Sequence, residues 1–151
     1  MFCNETDLLL VIRPSRSRDV VEVPGEEYPR QFVCDGWKGY LGWVLQRCWA
    51  HLLRYAEAAA KESEEGTALS AEFGALYHHM TRELDAASPR ARARWLTMGA
   101  KALTRLLRRY GRSRSAAVSR AVGYLRNGRP WWLTFLEHRG MEARTTEPNG
   151  D

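Results

Sequence analysis

At 151 residues the chain suits a single domain, which at this size buries roughly 70% of the surface its unfolded form exposes, and its 44% apolar and 27% charged residues exclude a wholly disordered protein. The longest apolar runs, Leu8 to Ile12 and Trp131 to Leu133, fall far short of the ~20 residues of a membrane span, and no signal-peptide pattern opens the chain, so a cytoplasmic protein is expected. The net charge of +5 hides a one-sided distribution: residues 86 to 130 hold twelve Lys or Arg and no Asp or Glu, an electrostatic footprint for a polyanion, most often nucleic acid.

Leu8-Leu9-Leu10-Val11-Ile12 is a short apolar, partly β-branched run stopped by Arg13-Pro14, and it predicts a buried strand. Ser17 caps a predicted short helix through Val23, which Pro24-Gly25 breaks. Phe32-Val33-Cys34 makes a second strand-like run ending at Asp35-Gly36, and strand, helix and strand in such short pieces suggest a parallel α/β unit. From Leu45 the positions Leu45, Cys48, Trp49, Leu52, Leu53 and Ala56 recur at helical spacing, which predicts an amphipathic helix with Arg47, His51 and Arg54 on its outer face. Glu62 to Thr67, polar and containing Gly66, reads as a loop or break, and Ala68 to Ala86 as another helix.

Ser88-Pro89 supplies an N-cap with proline at the first helical position. The helix it opens carries Trp95, Met98, Ala102, Leu103, Leu106 and Tyr110 on one side, with Arg94, Lys101, Arg105, Arg108 and Arg112 aligned on the other, and Gly111 ends it. Ser115 starts a further helix that Asn127-Gly128 closes. Trp131 to Leu136 resumes an apolar segment, and beyond Gly140 the pattern collapses into a loose tail.

Asp35 ends a predicted buried strand, the edge of an α/β sheet where ligands and catalytic groups gather, and a carboxylate there suits a hard cation such as magnesium. Asp35-Gly36 is also the composition of a tight turn, and spacing alone favours that reading. Cys3, Cys34 and Cys48 are an odd number without disulfide-like spacing, which favours a reducing compartment. Cys48 with His51 is only half of a zinc site, and no second pair follows at a suitable distance. His78 and His79 are adjacent and point to different sides of a helix, a poor joint metal site. The arginine stripe, with Arg109 beside it, can meet phosphates one by one, although a solvated helix face gives the same pattern. Trp131, Trp132 and Phe135 could stack on unpaired bases, but their neighbours Leu133 and Leu136 favour hydrophobic core.

Val11-Ile12-Arg13-Pro14-Ser15-Arg16, Val33-Cys34-Asp35-Gly36-Trp37-Lys38-Gly39-Tyr40 and Gln46-Arg47-Cys48-Trp49-Ala50-His51-Leu52-Leu53-Arg54 together resemble the central part of the insertion sequence 66 family of transposases. The segment from Tyr124 through Trp131 and Thr134 to Glu142 is similar to the stretch before that family's last carboxylate, so the resemblance runs from Asp7 to Ala143. It implies an α/β fold, a partial RNase H-like core of few strands over residues 1–60, followed by a mainly α-helical basic insertion over 61–130, a return toward the core over 131–143 and a disordered tail over 144–151. It also implies a DDE enzyme that cleaves and joins DNA through two magnesium or manganese ions, with Asp35 as a catalytic, metal-binding carboxylate. Arg47, His51, Arg54, Arg94, Lys101, Arg105, Arg108, Arg109 and Arg112 are the expected DNA contacts.

The family's first catalytic Asp lies on a strand upstream of Leu8, and its last carboxylate belongs to a T-N-N-x-x-E-R motif that does not follow Ala143, so a truncated, inactive fragment is expected, with DNA and full-length transposase subunits as partners. One permitted codon choice for Ala143 to Asp151 reads T-N-N-R-T-E-R-G in a shifted frame, which makes a frameshift the expected origin of the tail. The alternative function is a noncatalytic DNA-binding or transposase-assembly protein.

Overall fold

The computed structural model describes residues 31–35 and 44–144, together with the backbone of two short strands, β1 (Phe2–Cys3) and β2 (Leu8–Leu9). The predicted helix from Ser17 to Val23, the rest of the run to Ile12, and residues 145–151 of the tail lie outside the described residues. Strands β3 (Gln31–Cys34) and β4 (Val44–Arg47) precede a helical body made of α1 (Trp49–Ala60), α2 (Glu64–Thr81), α3 (Pro89–Tyr110), α4 (Ala116–Asn127), a 3-10 turn (Arg129–Trp131) and α5 (Thr134–Glu137). The described chain is therefore mainly helical, with strands confined to its first third.

The pairing departs from the expected strand, helix, strand unit. Leu8–Leu9 runs antiparallel to Phe2–Cys3, and the parallel partner of Gln31–Cys34 is Val44–Arg47, in the register Gln31↔Val44 to Cys34↔Arg47. Residues 44–47, read from spacing as the start of a helix, are thus a strand, and α1 begins only at Trp49. The physical reason is a buried network around Gln46, whose side chain is fully enclosed. Its Nε2 donates to the carbonyls of Arg47 (2.6 Å) and Trp132 (3.1 Å), and its Oε1 accepts the Phe135 N–H at 2.9 Å. Trp49 Nε1 adds a bond to the same Trp132 carbonyl (2.8 Å), and Trp132 Nε1 donates to the Leu125 carbonyl (2.8 Å). Buried polar groups must be paired, and these bonds lock the returning segment 132–135 onto β4. The Trp49 N–H also meets the Ala143 carbonyl at 3.0 Å, so the end of the described chain returns to the start of α1.

Helix α1 buries Trp49, Leu52, Ala56 and Ala59, one face of a 3.6-residue repeat. The segment expected to be a loop at Glu62 to Thr67 instead opens α2, which starts at Glu64 with Ser63 Oγ accepting the Gly66 N–H at 3.0 Å. Gly66 is not a break: a Cβ there would lie 2.0 Å from the Ala59 carbonyl oxygen, so glycine is what lets α2 leave so close to the end of α1. Helix α2 ends at Thr81, short of the expected Ala86, and the link to α3 carries the Leu84 carbonyl that Arg92 Nη1 caps at 3.1 Å.

The remaining boundaries fall as the sequence predicts. Ser88 caps α3 through the Ala91 N–H (3.2 Å), with Pro89 at its first position and Gly111 at its end. Ser115 caps α4 through the Val118 N–H at 3.3 Å. Leu103, Leu106 and Tyr110 of α3, Val118, Val122 and Leu125 of α4, and Phe73 and Met80 of α2 form one core with Trp49. Trp132 and Phe135 are fully buried in it, which is the hydrophobic role expected rather than base stacking. Cys34 and Cys48 are both buried.

Candidate functional site

Asp35 is the first residue beyond β3 and is exposed, standing at the carboxyl end of a parallel strand rather than in a hairpin. What holds that strand end is a side chain from the far end of the chain. The Tyr124 hydroxyl of α4 donates to the Asp35 main-chain carbonyl at 2.6 Å. Beneath it lies Arg47, which the helical spacing had placed on an outer face with His51 and Arg54. Because residues 44–47 form a strand, Arg47 is instead buried, 5% exposed, with its guanidinium 4.4 Å from the Tyr124 ring centroid and 5.5 Å from that of Trp132. Gly128 makes room for this stack, since a Cβ there would come within 2.9 Å of Arg47 Cγ, Arg47 Nε and Trp132 Cε2.

His51 and Arg54 follow on α1. His51 is half-buried with an enclosed Nδ1 that has no hydrogen-bond partner among the described residues, and Arg54 is exposed. The Q-R-C-W portion of the motif is therefore a packing device: Gln46 pairs backbone, Arg47 stacks, and Cys48 and Trp49 fill the core. Neither Gln46 nor Tyr124 is singled out by the sequence as a site residue, and Trp132 is weighed there only between base stacking and core. A fully buried glutamine inside an apolar run was the one available signal, while the Tyr124 contact had none in local sequence.

Magnesium or manganese chemistry asks for several convergent oxygen donors. Among the described residues no group of three His, Cys, Asp or Glu comes together. His78 and His79 are both exposed beside a hollow lined also by Arg82, Glu83 and Trp95, with the His79 and Trp95 rings 6.4 Å apart.

The second candidate surface is α3. Arg94, Lys101, Arg105, Arg108 and, just past the helix, Arg112 are all exposed, and none has an ion-pair partner among the described residues. Two adjoining shallow hollows run along this helix, one bordered by Arg90, Arg94 and Lys101, the other by Lys101, Arg105 and Arg108. Arg109 is differently engaged: it pairs with Glu72 of α2 at 2.7 Å, and the Tyr110 hydroxyl donates to the same carboxylate oxygen at 2.7 Å. Arg92 faces inward, its guanidinium donating to the Leu84, Phe135 and Leu136 carbonyls at 3.1, 2.8 and 3.3 Å. The helix has no acidic residue in its first turn, where the macrodipole favours one, and places like charges at i,i+4 in Arg90/Arg94, Lys101/Arg105 and Arg105/Arg109.

Burial, together with the neighbouring Asp35 and against the lowering effect of Arg47, pushes the Tyr124 phenol up to about 12, and burial with the Glu72 carboxylate does the same for Tyr110. Both folded values lie above the ordinary 10.0, so the protonated phenols favour the folded state once the unfolded chain begins to ionise. Stability should hold up to pH 10 and fall from there through about 12, a loss that Tyr110→Phe together with Tyr124→Phe should reduce. Urea denaturation across that window checks it, and an unchanged alkaline decline in the double variant would remove the two phenols as its cause.

Compared with known proteins, residues 3–145 match the family described as Transposase IS66 family, and the chain belongs to that family. No curated protein and no solved structure matches. Among the described residues no helix is long and apolar enough to cross a membrane.

Proposed function

We propose that this chain is a catalytically incomplete DDE transposase unit that acts in DNA transposition by holding DNA on the basic face of α3. The observation that carries the reading is the row Arg94, Lys101, Arg105 and Arg108, exposed and without ion pairs among the described residues, on a chain of the transposase family. Cations so placed release condensed counterions when they meet phosphates, which supplies sequence-independent affinity. The parallel pair of β3 and β4, with Asp35 at its carboxyl end, supports an RNase H-like origin for the first part of the chain.

Two measurements test the reading. Affinity for a short DNA duplex should fall linearly in log–log form with salt, with a slope near −4 if about four phosphates are neutralised; a slope near zero removes the basic face from the function. The purified chain should produce no strand cleavage with magnesium or manganese, and metal-dependent nicking would show that a complete site exists.

A further inference from the structure

On a helical projection of roughly 100° per residue, Arg90, Arg94, Lys101, Arg105 and Arg108 fall within an arc of about 60°, and Ala93, Thr97, Ala100 and Thr104 fill the adjoining arc of similar width. A cationic ridge therefore runs beside a low strip of small residues, of which Ala93, Thr97 and Ala100 are exposed. The second half of the strip borders a shallow hollow lined by Ala100, Lys101, Thr104, Arg105 and Arg108. A residue from another element reaches its edge: exposed Arg129, in the 3-10 turn after α4, donates through Nη2 to Thr104 Oγ at 3.1 Å.

We propose that this trough seats one phosphodiester strand of duplex DNA, with Lys101, Arg105 and Arg108 on one wall, Arg129 on the other and Ala100 and Thr104 as its floor. The inference rests on the reading of α3 as a DNA-binding face and adds the shape and the substrate class. The walls present cationic donors to phosphate oxygens from both sides. The floor reads no bases: Thr97 and Thr104 spend their hydroxyl protons on the Ala93 and Ala100 carbonyls, at 3.2 and 2.9 Å. No aromatic ring lines the hollow, whereas sites for unpaired strands stack bases on aromatic side chains. A trough that grips phosphates and offers the bases nothing suits a strand whose bases are turned away into a duplex.

The test is fluorescence anisotropy of the full chain with a short duplex of arbitrary sequence. Ala100→Trp fills the floor without changing charge and should weaken binding by about tenfold or more. Arg129→Gln removes the far wall and should reduce the salt slope by about one. Both positions are exposed, and Thr97→Trp, exposed on the same strip one turn before the floor, is a second obstructing variant. If these variants bind like the wild type while Lys101→Glu/Arg105→Glu/Arg108→Glu loses binding, the trough is wrong and the basic face stands. If the reversal variant also binds like the wild type, the underlying reading fails as well. Tighter binding to the corresponding single strand than to the duplex would likewise overturn the proposal.

Discussion

Replacing Gln46 with leucine is expected to destabilise the protein by roughly 3–5 kcal/mol, a large share of the 5–15 kcal/mol that holds a typical domain folded. The substitution keeps the volume and removes no apolar contact, so the cost comes from polar groups left behind. The Phe135 N–H and the Arg47 carbonyl lose the partner they have in Gln46, within a site where the side chain is fully buried. Each stranded group costs about 1–3 kcal/mol, while the Trp132 carbonyl keeps the Trp49 indole and suffers less. Equilibrium urea unfolding followed by tryptophan fluorescence measures the loss. A cost below about 1 kcal/mol would mean that water satisfies these groups and that the network does not define the junction of β4 with the returning chain.

That junction also marks where the sequence could be read and where it could not. Ser88-Pro89, Gly111, Ser115 and Asn127-Gly128 announce helix ends through chemistry confined to a single turn, and the structure ends its helices there. Trp132 and Phe135 were legible as core for a similar reason, because their neighbours are apolar. Val44–Arg47 was not legible as a strand. Leu45, Cys48, Trp49 and Leu52 fall at helical spacing only because a strand passes directly into a helix, and its partner β3 and the backbone of residues 132–135 are distant in sequence. Gly66 misled in the same way: its role is set by the Ala59 carbonyl against which the next helix packs, not by its own low helix propensity.

For the candidate site, the basic stripe of α3 was visible in periodicity alone, since every member lies on one helix. Arg109 and Arg92 were indistinguishable from the others by composition, and only the fold assigns one to Glu72 and the other to three main-chain carbonyls. Asp35 could be placed at a strand end, yet the hydroxyl that holds its carbonyl comes from Tyr124, 89 residues away, and the Arg47 beneath was expected on a helix surface. Contacts of that separation carry no local signature.

The second large effect is expected on DNA affinity. Reversing Lys101, Arg105 and Arg108 to glutamate together should weaken duplex binding by about 10³-fold near 0.1 M salt and flatten the salt slope by about three, because each lost phosphate contact forfeits its released counterion. Loss of binding in a basic helix is often loss of the helix, but here the two separate. All three side chains are exposed, and the reversal turns the like-charge pair Arg105/Arg109 into an opposite one, while 101/105 and 105/108 stay alike with their sign changed. At about 0.2–0.5 kcal/mol per pair, partly offset by an acid in the last turn, folding stability should stay within about 1 kcal/mol of the wild type. Binding that collapses while the urea midpoint holds assigns the charges of α3 to a polyanion rather than to the fold. A variant that binds as tightly as the wild type would return the stripe to the role of a solvated helix face, and one that unfolds outright would assign its charges to the fold.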